Sequence, residues 1–479
     1  MKQAIIVAEN CYSYLQSDKR VKDGLWRALR WKERGYWHSR LYKQKLWDGY
    51  IDFFKRETGR FLTGLLPEVE LALRHWKVGY QLKDKRNPVV FRIPKITEKL
   101  VREWLPEEDK HKDPYDYQID LINQMLLHRR GVIQAPTSAG KTVIMMGILK
   151  ALPPKTPTLI LANRKSLVDQ NYDAMRSWGF ENVGRLYDKH KDPNVFTCAT
   201  VQSLHKIEKL LPHVRALIVD EIHEMMSKTP KKYYNKLKAC SVRVAVSATP
   251  FKYGGQHKTQ KYAVKGYFGP IMRTDTAGED GVLTTKELQG RDILSGSKCT
   301  FYIVSKPDLP YEIYLDAVTK GIAENIYFHK MVVGLSKTLT GRTLILVERL
   351  PHGDTLNKMI PGSLWVQGKD DLDTRKYVIE KLTSSAGNVV GIATQGIFNA
   401  GINVFVHNLI NAAGGQADHQ IVQRMGRGLR VAGDKNILNY YDFIFKINEY
   451  LEGHSMKRIK ILKEEGHDVE VREEIDFPM

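Results

Sequence analysis

From residue 115 onward, short apolar runs alternate with longer stretches of helical character. One series occupies 131–135, 158–162, 195–199, 216–219 and 242–246; a second occupies 343–347, 363–366, 388–393, 404–410 and 437–441. Apolar runs this short, bounded by turn residues and alternating with helices, predict strands of parallel sheets covered on both faces. The expected fold class is therefore α/β, with two tandem parallel-sheet lobes.

The first hundred residues follow another rhythm. Residues 1–113 carry 25 Lys or Arg against 16 Asp or Glu and six of the eight tryptophans: Trp26, Trp31, Trp37, Trp47, Trp76 and Trp104. Proline and charge punctuate 88–114, as in a connector. The expected domains are 1–113, a small basic, aromatic-rich α/β domain with its linker; 114–255, the first lobe; 256–311, an inter-lobe segment with strands of its own; 312–450, the second lobe; and 451–479, a basic tail. Trp47, inside an alternating apolar stretch, is expected to be buried.

Composition removes several classes of function. At 479 residues with 42% hydrophobic and 27% charged positions, the chain reads as a multidomain globular protein. No apolar run approaches the roughly 20 residues of a membrane helix, and the run at 4–8 is too brief for a signal core. Cys11, Cys198, Cys240 and Cys299 lie far apart and form no C-x-x-C pair. Neither a zinc knuckle nor a disulfide framework is suggested, and a reducing cytoplasm is expected. A net charge of +20 calls for a polyanionic partner, nucleic acid first among them.

The candidate chemistry begins at A-P-T-S-A-G-K-T, 135–142, which joins a predicted strand to a predicted helix. Backbone amides of Ala135, Thr137, Ser138, Ala139 and Gly140 can cradle the phosphates of ATP. Lys141 reaches the β- and γ-phosphates, and the Thr142 hydroxyl is a ligand for Mg²⁺. Ala135 replaces the usual first glycine. The run A-L-I-V-D-E-I-H, 216–223, is a buried strand that presents Asp220, Glu221 and His223 at its C-terminal end, where ligands of open α/β sheets sit. There Asp220 can hold Mg²⁺ while Glu221 orients or deprotonates the attacking water.

Together these motifs resemble superfamily 2 helicases of the D-E-x-H branch. S-A-T at 247–249 resembles their third motif, and Q-R-M-G-R-G-L-R at 423–430 their sixth. The resemblance implies two RecA-like lobes and roles for further residues. Gln118 would read adenine, Ser247 and Thr249 with His223 would couple nucleotide state to movement, and Gln423, Arg427, Arg430 and Gly401 would complete the ATP site. Arg164, Thr200, Gln202, Ser203, Thr394 and Gln395 would track a nucleic-acid strand. The bland alternatives are a helix cap for Ser247 and Thr249 and a solvated basic face for the arginines, although an arginine finger's fork geometry suits the transferring phosphoryl group. Asn403 departs from the acidic residue of many relatives.

The segments G-Y-W at 35–37, L-W-D-G-Y-I-D-F-F at 46–54 and G-R-F-L-T-G-L-L at 59–66 resemble the small α/β domain preceding the core in UvsW-like phage enzymes. That resemblance implies an ATP-dependent helicase that regresses forks and migrates branched DNA, with recombination or replication proteins as candidate partners and no membrane. An RNA helicase of the same superfamily and an ATP-regulated DNA-binding subunit of a restriction-type complex are the alternatives.

Overall fold

The computed structural model describes residues 4–87, 90–251, 258–278, 280–310, 313–384, 387–396, 406–415 and 437–473. The chain divides into two compact units. One comprises Met1–Ala135 with Gly140–Leu283, the other Pro136–Ala139 with Thr284–Met479.

The first unit opens with β1 (Ala4–Ala8) and β2 (Tyr12–Gln16), followed by β3 (Arg30–Lys32), β4 (Tyr50–Asp52), β5 (Arg60–Leu62) and β6 (Tyr80–Asp84). Four of these make a mixed sheet in the order β5-β2-β1-β6, and β3 and β4 pair separately as an antiparallel ribbon. Alternation along β1 buries Ala4, Ile6 and Ala8, so the apolar run at 4–8 is a core strand.

Its larger sheet contains β7 (Arg130–Gln134), β8 (Thr158–Ala162), β9 (Val183–Tyr187), β10 (His190–Lys191), β11 (Phe196–Thr200), β12 (Ala216–Asp220) and β13 (Val242–Ser247), in the order β10-β9-β11-β8-β12-β13-β7. All its pairings are parallel except that of β9 with β10. β8, β11 and β13 are buried at every position, as strands covered on both faces must be.

The small domain is welded to this sheet. Arg243, at the start of β13 and 1% exposed, donates from Nη2 to the carbonyls of Leu237 (3.0 Å) and Tyr234 (3.2 Å) and to Cys11 Sγ (3.1 Å). Arg130, at the start of β7, donates to the carbonyls of Asn10 and Cys240. Burial and the neighbouring Arg243 charge press its pKa downward. Gly64 lies so close to the Lys265 carbonyl that no Cβ could fit, and Lys265 Nζ pairs with Glu68 Oε1 at 2.7 Å.

The second unit holds β14 (Gly296–Val304), β15 (Arg342–Val347), β16 (Leu364–Val366), β17 (Val389–Thr394), β18 (Asn408–Asn411), β19 (Ile437–Phe445) and β20 (Asp468–Arg472). They form a wholly parallel sheet in the order β16-β17-β15-β18-β19-β14-β20. Both large sheets have the RecA-like character expected.

Two expected segments are distributed differently. The stretch 256–311 is not a separate inter-lobe body: the helix Lys258–Phe268 packs into the first unit, whereas β14 lies inside the second sheet. The described part of the tail expected at 451–479, through Glu473, also belongs with that sheet. Its helix Glu449–Glu464 buries Leu451, Ile459, Ile461 and Leu462, and β20 pairs with β14. Trp47 is half-buried rather than buried, its indole N–H donating to the Tyr50 carbonyl at 2.7 Å.

Candidate functional site

β12, β13 and β7 are neighbours running in one direction, so their C-terminal ends meet at one edge of the sheet. Asp220 is opposite Val246, and Ser247 is opposite Gln134. Register alone therefore brings together the residues after β7, the D-E-I-H segment and S-A-T.

The loop after β7 turns through left-handed backbone at Ser138 (φ 71°) and Gly140 (φ 74°) before the helix Lys141–Ala151 begins. Gly140 is required for space as well: a Cβ there would strike the Gln118 side-chain amide. Gln118 is buried at the head of the helix Asp116–His128, where its Oε1 accepts from the Tyr115 N–H at 3.0 Å.

Lys141 Nζ lies 3.3 Å from Glu221 Oε1. The other oxygen of Glu221 accepts from Ser247 Oγ at 3.0 Å and lies 3.3 Å from His223 Nδ1. Ser247 Oγ is itself 2.9 Å from His223 Nδ1 and accepts from the Thr249 N–H at 3.1 Å. With the Ser247 proton given to Glu221, the contact with His223 requires the proton on Nδ1. A continuous set of polar contacts thus joins the carboxylate to S-A-T. Glu221 occupies left-handed backbone (φ 52°), a costly conformation for a residue with a Cβ and one that clusters at functional sites.

The two adjacent carboxyls are driven apart. Burial, and then the charge of Glu221, raise Asp220 to about 6. Burial would raise Glu221 too, but the Lys141 charge and hydrogen bonds from His223 and Ser247 hold it well below the usual carboxylate range. Glu221 is therefore the anionic member, polarised between a cation and a relay. Divided environments of this kind assign acid and base roles.

The strand-tracking candidates lie farther along the first sheet and in the second unit. Arg164 donates to Glu224 Oε1 (2.9 Å) and Asn163 to Glu224 Oε2 (3.1 Å), tying the loop after β8 to the loop after β12. Thr200 and Ser203 are buried with their hydroxyls 3.1 Å apart, while Gln202 is exposed. Thr394 ends β17 as a buried residue, and Gln395 Nε2 is buried with no hydrogen-bond partner among the described residues. Gly401, Asn403, Gln423, Arg427 and Arg430 lie outside the described residues. Glu224 was not among the sequence candidates. Its signal is its place directly after D-E-I-H, which gains meaning only once β8 and β12 are known to pair.

Residues 111–252 match the family model of the type III restriction enzyme res subunit. The chain is similar to the ATP-dependent DNA helicase uvsW of Enterobacteria phage T4, with 22% identity over 436 residues, covering 86% of this chain and 84% of that protein. It is also similar to the DNA 3'-5' translocase XPB2 of Sulfurisphaera tokodaii, with 22% identity over 353 residues, covering 66% of this chain and 78% of the other. Among solved structures, the fragment of a putative HsdR subunit of a type I restriction enzyme from Vibrio vulnificus YJ016 shares the fold, with a TM-score of 0.55, 16% identity and coverage of 79% of this chain and 72% of that one. Among the described residues no helix is long and apolar enough to cross a membrane.

Proposed function

We propose that this chain, an ATP-dependent helicase of superfamily 2 by its motifs, fold and relatives, spends ATP at the ends of β7, β12 and β13 to move along DNA, and that forked or branched DNA is its working substrate. The observation that carries the chemistry is the contact set Lys141–Glu221–Ser247–His223. These four side chains meet at one sheet edge, which supports reading the lysine as the phosphate contact, the carboxylate as the base and the hydroxyl as the coupling group.

Lys141 neutralises charge on the terminal phosphates. Glu221, held anionic, orients and deprotonates the attacking water. The hard oxygen donors of Thr142 and Asp220 suit Mg²⁺, which would supply charge neutralisation at the β- and γ-phosphates. When phosphate draws Lys141 away from Glu221, the bonds to Ser247 and His223 respond, and through them β13 registers the nucleotide. Arg427 and Arg430 are proposed as the cations that complete the site, and Gln118 as the adenine reader. Arg164, Gln202 and Gln395 are proposed contacts to the tracked strand.

DNA is favoured over RNA by the relatives, which are DNA helicases and translocases by name. Branched substrates are favoured by the basic small domain, whose weld to the first sheet makes it part of the motor unit. The test is ATP turnover by the full chain with forked DNA, single-stranded DNA and matched RNA. The expected order is fork at or above single strand, with RNA far below. Equal stimulation by RNA overturns the assignment to DNA, and no preference for forks in binding or turnover overturns the branched substrate.

A further inference from the structure

Between β3 and β4 the chain leaves the small domain as a compact protrusion, residues 33–49. It is built around Tyr36, whose ring meets Trp37 and Tyr42 edge to face at 5.2 and 4.6 Å, with Lys32 Nζ 5.0 Å from its centre. Gly35 (φ 70°) and Gly49 (φ 84°) make the turns, and a Cβ on Gly49 would come within 2.8 Å of the Tyr36 ring. The protrusion is therefore packed internally. Yet Trp37 is 53% exposed, Leu41 54% and Leu46 73%. Over 32–46 the sequence has five basic residues, Lys32, Arg34, Arg40, Lys43 and Lys45, against the single carboxylate Glu33.

Its base is held firmly. Trp31 of β3 meets Tyr262 at a tilt, with ring centres 5.5 Å apart, and carries Lys258 Nζ 4.1 Å over its ring, and Phe53 meets the same tyrosine at 5.8 Å. Tyr262 and Lys258 belong to the helix Lys258–Phe268, which follows β13 in the chain. Arg30 is held 4.2 Å from the rings of both Trp26 and Tyr50.

Exposed large apolar side chains in a segment rich in cations cannot find a satisfactory partner in intact duplex DNA, which shows only phosphates and base edges. They find one where a base face is open, while the cations meet the adjoining phosphates. We infer that the 33–49 protrusion is a base-stacking contact for the opened end of a duplex, with Trp37 against the first unpaired base or last pair at a branch point. This rests on the proposal that the chain works on branched DNA, and it adds the residue that recognises the branch.

The test uses the full chain without nucleotide, so that binding is read apart from movement. A fork with 2-aminopurine at the branch point is titrated beside a duplex of equal length closed by hairpin loops at both ends. Trp37→Ala is expected to weaken fork binding roughly 5- to 150-fold, the range for loss of one aromatic–base stack. It is expected to erase the fluorescence change and leave closed-duplex affinity unaltered. Because no charge is removed, the slope of log affinity against log salt should be unchanged. Trp37→Phe should restore most of the loss.

Unchanged fork binding and fluorescence in Trp37→Ala overturns the inference; a tip that serves a protein partner would give that result. Equal losses on fork and closed duplex also overturn it, since they indicate structural damage or phosphate binding. A wild-type chain that stacks on the branch base but fails to move junctions retires the motor reading and leaves this contact standing.

Discussion

Among the described residues the two large, mainly parallel sheets have the same number of strands and the same buried, apolar character, but they treat internal charge in opposite ways. In the first, the charged and polar groups gather at the strand ends and share their bonds incompletely. Asp220 is pushed up to about 6 beside a Glu221 that is held down, and that glutamate divides its two oxygens among a lysine, a serine and a histidine. In the second, Asp442 is buried within β19 and fully satisfied. It accepts from Arg458 Nε and Nη2 (both 2.9 Å), Asn411 (2.9 Å), the Tyr440 hydroxyl (2.8 Å) and the Phe443 N–H (2.7 Å). Arg458 donates further to the carbonyls of Gly415 and Phe443. A saturated network stabilises one structure. A contested network leaves groups that a ligand can rearrange, so the first is equipped for chemistry and the second for architecture.

The largest effects should follow from disturbing the contested network, and they should be effects on rate. Lys141→Ala is expected to lower ATP turnover by at least about 10³-fold, as removal of a charge aimed at the transferring phosphoryl group does. Melting temperature should fall as well, because Glu221 is left largely buried without its cation, so turnover is compared at a temperature where the variant is still folded. Glu221→Gln keeps the shape and loses the base. Turnover should fall about 10²- to 10⁴-fold while the nucleotide remains bound, measured by single-turnover hydrolysis beside equilibrium binding. If Glu221→Gln instead lost nucleotide affinity and hydrolysed what it bound at the normal rate, the contrast between the sheets would not be one of chemistry against architecture.

The saturated network should answer with stability. Arg458→Ala leaves Asp442 buried without its cation, and removal of one partner from such a pair costs about 3–5 kcal/mol. Denaturant unfolding followed by hydrogen exchange across β19 and the helix Glu449–Glu464 should localise the loss to the second unit. An Arg458→Ala protein as stable as its parent would mean that the pair is not the keystone its bonds suggest.

What the amino-acid sequence disclosed follows the same division. The run 158–162 coincides with β8, and 216–219 falls one residue short of β12 because that strand ends on Asp220, where apolarity stops and chemistry starts. The motif residues of the first unit were legible because phosphate and carboxylate chemistry demands local spacing. β20 was not, being a short edge strand with charges along it, and for β14 strands were expected within 256–311 but not their place in the second sheet, since β14 opens with Gly296, Ser297 and Lys298. The burial of Cys299, Thr300, Phe301 and Tyr302 in β14 comes from partners far away in the chain, β19 and β20. The weld of the small domain was equally hidden, since Cys11 and Arg243 are brought together over 232 residues. Among the aromatic residues at 26–54, nothing in the local pattern distinguishes the exposed Trp37 from the half-buried Trp31 and Trp47.

A smaller effect separates the two kinds of buried group within the second unit itself. His329 and His352 stack at 4.7 Å in the helical layer, both 1% exposed, and His329 Nε2 lies 3.2 Å from the Ile322 carbonyl. His329 Nδ1 and His352 Nε2 are buried with no hydrogen-bond partner among the described residues, and Phe328 is a neighbouring ring. Burial, and then the His329 ring, lower His352 to about 3, and burial lowers His329 as well. A histidine whose folded pKa lies below its unfolded value of 6.5 takes up its proton first in the unfolded chain. The associated stability is complete above pH 6.5 and is lost as pH falls from there toward 3, with a limiting slope of about 1.4 kcal/mol per pH unit for one such group. Unlike Asp442, these rings have no counter-charge to retain on acidification, so acid should open the helix Ile326–Thr338 before it disrupts β19. His352→Phe keeps a flat ring against His329. It should be near parental stability at pH 7.5, within about 1 kcal/mol, and more stable than the parent by about 1–2 kcal/mol at pH 5. Hydrogen exchange of the peptides spanning 326–338 at the two pH values reads the difference. Identical pH dependence in His352→Phe and parent would place the acid sensitivity elsewhere and leave the saturated Asp442 network as the group to examine.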